Sequence, residues 1–473
     1  MDVEEAGGAR LQGVEGGERG GNRALIADGR PGAGPALMLS FVLTAVACGF
    51  AALCYAEFAA MVPIAGSAYT YAYASFGELA AWIIGWDLIL EYAVANIAVA
   101  ISWSGYFQEL LRGFGLHLPY WIGTDIRSAM QAHELMSAPH GELAPHIIRE
   151  AQAYVDAPRI AGLPIVFNLP AFLIVLIMTW VLVRGIKESA WLNSLMVALK
   201  LLIILIFLAI GAFYVKPDNW TPFMPNGWAG VSTAAAIIFF AYIGFDAVST
   251  AAEECRNPAR DMPIGILASL GVCTVLYIAV AAVLTGMVPY TTLGTAEPLA
   301  TAFSSLGMNW AAGVISLGAV FATTSVLVVF QMGQPRIFFS MGRDGLLPRW
   351  AAKVHPKYQT PHITTIITGV GVALVAGFAN INEIVELTNI GTLFAFALVA
   401  IGIIVLRKTE PDRPRSFRTP LVPLVPILAT LSCLYLMLQL PAVTWIRFVG
   451  WLALGLVVYF AYGHRHSRLR NAK

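Results

Sequence analysis

The sequence predicts an all-α integral membrane protein, and three observations predict it. Of 473 residues, 58% are hydrophobic and only 12% are charged, about half the charge of an average soluble domain. Eleven apolar segments are each long enough to cross a hydrocarbon core of about 30 Å as a helix. One of these segments opens the stretch VSTAAAIIFFAYIGFDAVSTAAEECRNPARDMPIG (231–265), which sets Gly244 and Asp246 inside an apolar run and ends in a charged loop.

Taken in order, residues 1–32 are polar and rich in Gly and Arg, with no apolar core of a secretory signal. They read as a disordered tail. The spans follow at roughly 35–61, 78–108, 166–184, 190–214, 231–252, 263–288, 310–339, 362–379, 384–406, 422–440 and 444–462, a membrane domain over 33–462. Residues 463–473 form a basic tail. The 78–108 and 310–339 segments are long enough to tilt or to project from the bilayer. Cys48, Cys54, Cys255, Cys273 and Cys433 form no CxxC pair and read as small buried hydrophobes. The formal charge of +1 gives no reason to expect a nucleic-acid partner. No Walker A motif, catalytic triad or metal-ligand spacing appears, so neither a cofactor nor an enzymatic activity is expected.

Orientation follows from Lys and Arg, which concentrate on the cytoplasmic side. One alternate set of loops carries Arg184, Lys187, Arg256, Arg260, Arg336, Arg343, Arg349, Lys353, Lys357, Arg407, Lys408, Arg413, Arg415 and Arg418, and the C-terminal tail adds four more basic residues. The other set holds only Arg112, Arg127, Arg149, Arg159, Lys216 and Arg447. The C-terminus is therefore expected inside, in a plasma or inner membrane. Eleven spans then put the N-terminus outside, which strands Arg10, Arg19, Arg23 and Arg30 on the wrong side. The longest polar connection, 109–165, is expected on the outer face with a short surface helix. Its His133, His140 and His146 read as solvated loop histidines.

Five ionisable residues lie within spans: Glu57, Asp87, Glu91, Lys200 and Asp246. Such residues are functional candidates by default. Lys200 lies about eleven residues into its span, roughly 16 Å deep, too far for its ammonium to snorkel easily to water. Asp87 and Glu91 are four apart and share a helix face. Glu91 is either a lining residue or a structural hydrogen-bonding one. Glu57 lies near a helix end and reads as structural. Thr323, Thr324 and Ser325 sit at mid-depth, where hydroxyls either bond their own backbone at i−4 or face Lys200 or a cation. A glycine and a carboxylate at membrane depth need surrounding protein or water. A broken helix whose freed backbone faces a cavity is how membrane chains build a solute site. Asp246 equally reads as a structural bond within such a break.

These residues resemble a known family. FFAYIGFDAVSTAAEECRNPARDMPIGI (239–266) is similar to the sixth helix and following loop of the amino acid–polyamine–organocation superfamily, nearest its cationic amino acid transporter-like branch. AGPALMLSFVL (33–43), CYAEFAAMVPIAGSAYTYAYASFGELAAWIIGWDLILEY (54–92), GQPRIFFSMGRDGLLP (333–348) and NIGTLFAFALVAIGIIVLR (389–407) agree in order. The resemblance implies two inverted five-helix repeats plus two terminal helices, and transport of a small-molecule amino acid across a lipid bilayer by alternating access. It implies that Phe240, Ala241, Tyr242, Ile243 and Gly244 form a helix break that binds the amino and carboxylate groups. It places Phe330 where side-chain room is set, in favour of smaller substrates. Lys200 matches a lysine that some members hold where sodium-coupled relatives bind sodium. Loss of its proton would link transport to pH, with exchange as the uncoupled alternative.

The family's glycine-rich first helix has no counterpart in 1–32. Together with the loop parity, this leads to the expectation that the true reading frame supplies a twelfth, N-terminal span. For the chain as written, a non-transporting product or an amino acid sensor on the same scaffold is the alternative.

Overall fold

The computed structural model describes residues 30–61, 67–137, 145–185, 190–246, 248, 255 and 257–467. The expectation of a disordered tail falls almost wholly outside them, as do His140 and the end of the basic tail. Among the described residues the chain is helical apart from one two-stranded hairpin, β1 (Arg159–Ile160) with β2 (Leu163–Pro164). Seven helices are long and apolar enough to span a membrane, and four shorter apolar helices accompany them. These match the eleven predicted segments in order and position.

The helices, in chain order, are α1 (Leu37–Met61), α2 (Ser67–Phe76), α3 (Glu78–Gly113), α4 (Ile126–Ser137), α5 (Pro145–Asp156), α6 (Leu169–Arg184) and α7 (Ala190–Gly211). They continue with α8 (Gly227–Ile238), α9 (Pro258–Met287), α10 (Pro298–Ser305), α11 (Asn309–Arg343), α12 (His362–Phe378), α13 (Ile381–Thr409), α14 (Leu424–Leu438) and α15 (Ala442–Val458). Local signals set several boundaries. Asn168 caps α6 by accepting the Ala171 N–H at 3.2 Å, with Pro170 in the first turn, where its missing N–H is harmless. Gly185, at φ +82°, ends the same helix.

The centre of the molecule is α3 packed on α11 and α13, while α1 packs on α9 and α12 on α6. Small residues allow close contact: Gly333 on α11 lies against the Tyr92 ring, and Gly455 on α15 against the Trp86 indole. Trp86 and Trp451 donate their indole N–H groups to each other's carbonyl at 2.9 and 3.1 Å, and Trp82 donates to Gly455 O at 2.9 Å. These bonds satisfy three indoles that would otherwise be stranded in an apolar seam.

The connection over 109–165 carries more order than one surface helix. Helices α4 and α5 pack together around Ala129, Ala153, Ala157 and Val166 to form a cap at that end of the molecule. Residues 30–33 are also packed. Arg30 pairs with Glu386 and donates to Gln439 O, and Gly32 O accepts from Asn226 at 2.9 Å.

Candidate functional site

Helix α8 stops after twelve residues. Its apolar sequence would allow it to continue, but the chain tightens into a single 3-10 turn, Phe239–Tyr242, and then leaves helical geometry. Ile243 is extended (φ −62°, ψ 129°) and Gly244 has φ +124°, a conformation that side chains with a Cβ resist. The predicted break therefore falls at 239–246, and a Cβ built on Gly244 meets nothing within 4 Å among the described residues.

A helix that ends inside a membrane leaves carbonyls that need donors. Side chains from three other helices supply them. Thr44 on α1 donates to Ala235 O at 3.0 Å, and one turn earlier in α8 Ser40 donates to Val231 O at 2.9 Å, inside the helix and not at its end. Asn389 on α13 donates its amide to both Ala236 O (2.7 Å) and Ile237 O (2.8 Å). Tyr277 on α9 donates to Ala241 O at 2.6 Å, and the Ile243 N–H returns to Phe240 O at 3.2 Å. Tyr242 donates to Phe41 O at 3.0 Å. The break is thus an ordered feature of the fold, held open by specific donors.

Asp246 is 3% exposed, and its Oδ1 accepts the Gly244 N–H at 3.1 Å. A bond of this kind is the structural alternative that the sequence offered for Asp246. Aromatic rings surround the region. Phe239 and Phe245 lie 5.7 and 4.9 Å from Phe396, and Phe245 stands edge-on to Tyr55. Phe240 is half-buried. Phe330 on α11 is buried and meets Tyr92 edge-on at 5.7 Å.

On α3, Asp87 and Glu91 are 0% and 2% exposed. The Asp87 carboxylate lies against the backbone of Gly391, where an added Cβ would stand 2.7 Å from Oδ1. Both Asp87 oxygens and Glu91 Oε2 have no hydrogen-bond partner among the described residues. Asp246 and Asp87 are the acidic groups that act on Glu91, which relates α3 electrostatically to the break.

Lys200 is half-buried on α7. One turn further along, Ile203 lies against Gly318 of α11. Thr323, Thr324 and Ser325 each donate to their own helix backbone, at 2.7, 2.6 and 3.0 Å. Thr324 also accepts the Trp103 indole N–H at 2.9 Å. The Thr323 and Thr324 bonds run to i−4 and the Ser325 bond to i−3. Glu57 is held by other groups. It takes a two-pronged bond from Arg407 (3.0 and 2.8 Å), an ion pair from Arg415 (3.2 Å) and the Thr419 N–H (2.7 Å). It pins the 410–423 connection to α1.

Sequence reasoning missed Thr44, Asn389 and Tyr277. A lone Asn in an apolar span was a usable signal for Asn389. Thr44 and Tyr277 gave none, because an apolar helix hides which carbonyl a hydroxyl meets.

The sequence matches the model of the amino acid permease family over residues 25–458. It is 49% identical to the branched-chain amino acid permease BcaP of Bacillus subtilis, over 94% of this chain and 90% of that protein. It is 48% identical to the methylthioribose transporter of the same organism, over 93% and 88%. The vacuolar cationic amino acid transporter 2 of Arabidopsis thaliana is 38% identical over 81% of this chain and 56% of its own length. With the interrupted α8 and eleven apolar helices, these matches place the chain in the amino acid permease family, among integral membrane proteins of amino acid transport and not enzymes.

Proposed function

We propose that this permease moves a neutral, aliphatic amino acid by alternating access, with the substrate's amino and carboxylate groups at the break over 239–246. The interruption of α8 carries this reading. Peptide groups freed at mid-membrane are the polar partners a zwitterion needs, and few other groups at that depth offer them without a fixed net charge. The related proteins are named for branched-chain amino acids, methylthioribose and cationic amino acids, so kinship leaves the side chain open. The lining favours an apolar one. Phe240 and Phe245 supply rings at the break, the family resemblance adds Phe330, and Asp246 directs Oδ1 to the Gly244 N–H.

Lys200 is the proposed coupling residue, with protons as the coupled ion or with facilitated exchange in their place. The C-terminus faces the cytoplasm of a plasma membrane in this reading, and the α4–α5 cap faces outward.

Uptake of radiolabelled leucine, alanine, glutamine, arginine and lysine into proteoliposomes tests the assignment, with an inward proton gradient present or collapsed. The expected result is accumulation of leucine and alanine, loss of which in Lys200→Ala accompanies loss of the pH dependence. Accumulation of arginine and lysine alone would overturn the neutral-substrate reading. Binding of amino acids without uptake would favour the sensor, and rates equal from pH 5 to 8 in both forms would remove Lys200 from coupling.

A further inference from the structure

The side-chain donors that hold carbonyls at the end of α8 fall into two classes. Thr44 and Asn389 are fully buried, and so are the Ala235 and Ala236 carbonyls' own residues. Their bonds cannot be exchanged without unpacking α1 or α13. Tyr277 differs. It is half-buried, as is Ala241, and their 2.6 Å bond lies at the break itself, three residues before Gly244. Its ring stands edge-on to Tyr242 at 5.3 Å and tilted against Phe41 at 5.4 Å, which aims the phenol at that carbonyl.

A phenol O–H aimed at a main-chain carbonyl makes the bond that one N–H of an ammonium group would make there. We propose that the Tyr277 hydroxyl stands in for the substrate's ammonium group: it holds the Ala241 carbonyl until the amino acid claims that acceptor. Tyr277 is then a positioning residue that competes with the substrate's amino group for this carbonyl and so sets how tightly an amine is held. It keeps the carbonyl satisfied in a dry environment and ties α9 to α8 until substrate arrives. The inference rests on the proposed site at 239–246.

The test uses the full chain in proteoliposomes, comparing wild type with Tyr277→Phe, which keeps the ring packing. Leucine uptake gives KM and maximal rate, and inhibition by 4-methylpentanoate, which lacks the amino group, gives a second affinity. The expected result is a KM for leucine lowered about 3- to 10-fold, the range one hydrogen bond's net contribution allows. The maximal rate falls because the tie between α9 and α8 is lost, and affinity for 4-methylpentanoate stays the same. A KM that is unchanged or raised, or an equal shift for both compounds, would overturn the proposal. Replacement of Tyr277 by 3-fluorotyrosine, a stronger donor of the same shape, is expected to raise KM instead, and keeps the question decidable if the phenylalanine variant does not fold. Wild type that neither binds nor transports any amino acid would sink the site assignment itself, a result distinct from an unresponsive Tyr277.

Discussion

At the scale of single residues, the break depends on backbone conformation more than on room. Gly244 adopts φ +124° while a Cβ there would meet nothing within 4 Å among the described residues. An alanine at this position pays the conformational cost in full, of the order of 1–2 kcal/mol or more. Gly244→Ala is therefore expected to reduce leucine uptake about tenfold at normal expression, and Gly244→Leu to carry at least the same conformational cost. Leucine much worse than alanine would mean that crowding governs the position. Gly244 and Asp246 were legible in the sequence because a glycine and a carboxylate stand out in an apolar run. Asn389, Thr44 and Tyr277 were not, since the carbonyls that give them meaning lie 36 to 191 residues away along the chain. No local pattern encodes which apolar helix face meets which freed carbonyl.

Among elements, the spans were legible because length and apolarity alone decide whether a helix crosses a membrane. The cap was only partly so. Helices α4 and α5 carry enough polar residues to pass for loop, and their shared core of alanines emerges only when the two helices pair. This cap contains a titratable contact. Glu150 of α5 is buried near Asp125 and Glu297, and burial, reinforced by those two carboxylates and opposed by Arg149, raises its carboxyl from an ordinary 4.5 to about 7. Glu297 is raised too, chiefly by burial. Arg112 and Glu109 of α3 also act on Glu297, and Arg149 acts on His146. A carboxyl raised in the docked cap lends it stability that is complete below the ordinary value and is lost as pH climbs through about 7. Amide exchange in α5, corrected for intrinsic rates, is accordingly expected to slow as pH falls from 8 to 5, and Glu150→Gln to flatten that response. An unchanged slope in the variant would show that another group titrates the cap.

For the whole molecule, the architecture joins a well-packed seam to one interrupted helix. The seam of α3, α11 and α13 is bound by indole–carbonyl bonds to α15 and by close glycine contacts, and at one end Glu57 gathers two arginines and a backbone N–H. A break costs free energy in a membrane, and such a frame supplies the donors that offset it. Family membership and the all-helical class followed from blocks of sequence in order. How the break is held did not, because it is a property of packing between α1, α8, α9 and α13.

Substrate protection of a single reporter at the break tests the central claim most directly. The reporter is Ile243→Cys, in a chain whose two cysteines that are not fully buried, Cys255 and Cys273, are replaced by serine. A Phe213→Cys variant in the same background serves as control, since Phe213 is 89% exposed and far along the chain from the break. The account predicts that a small maleimide labels position 243, and that saturating leucine slows this at least tenfold while labelling at 213 is unaffected. Transport-competent protein in which position 243 is labelled at the same rate with and without any transported amino acid would contradict it.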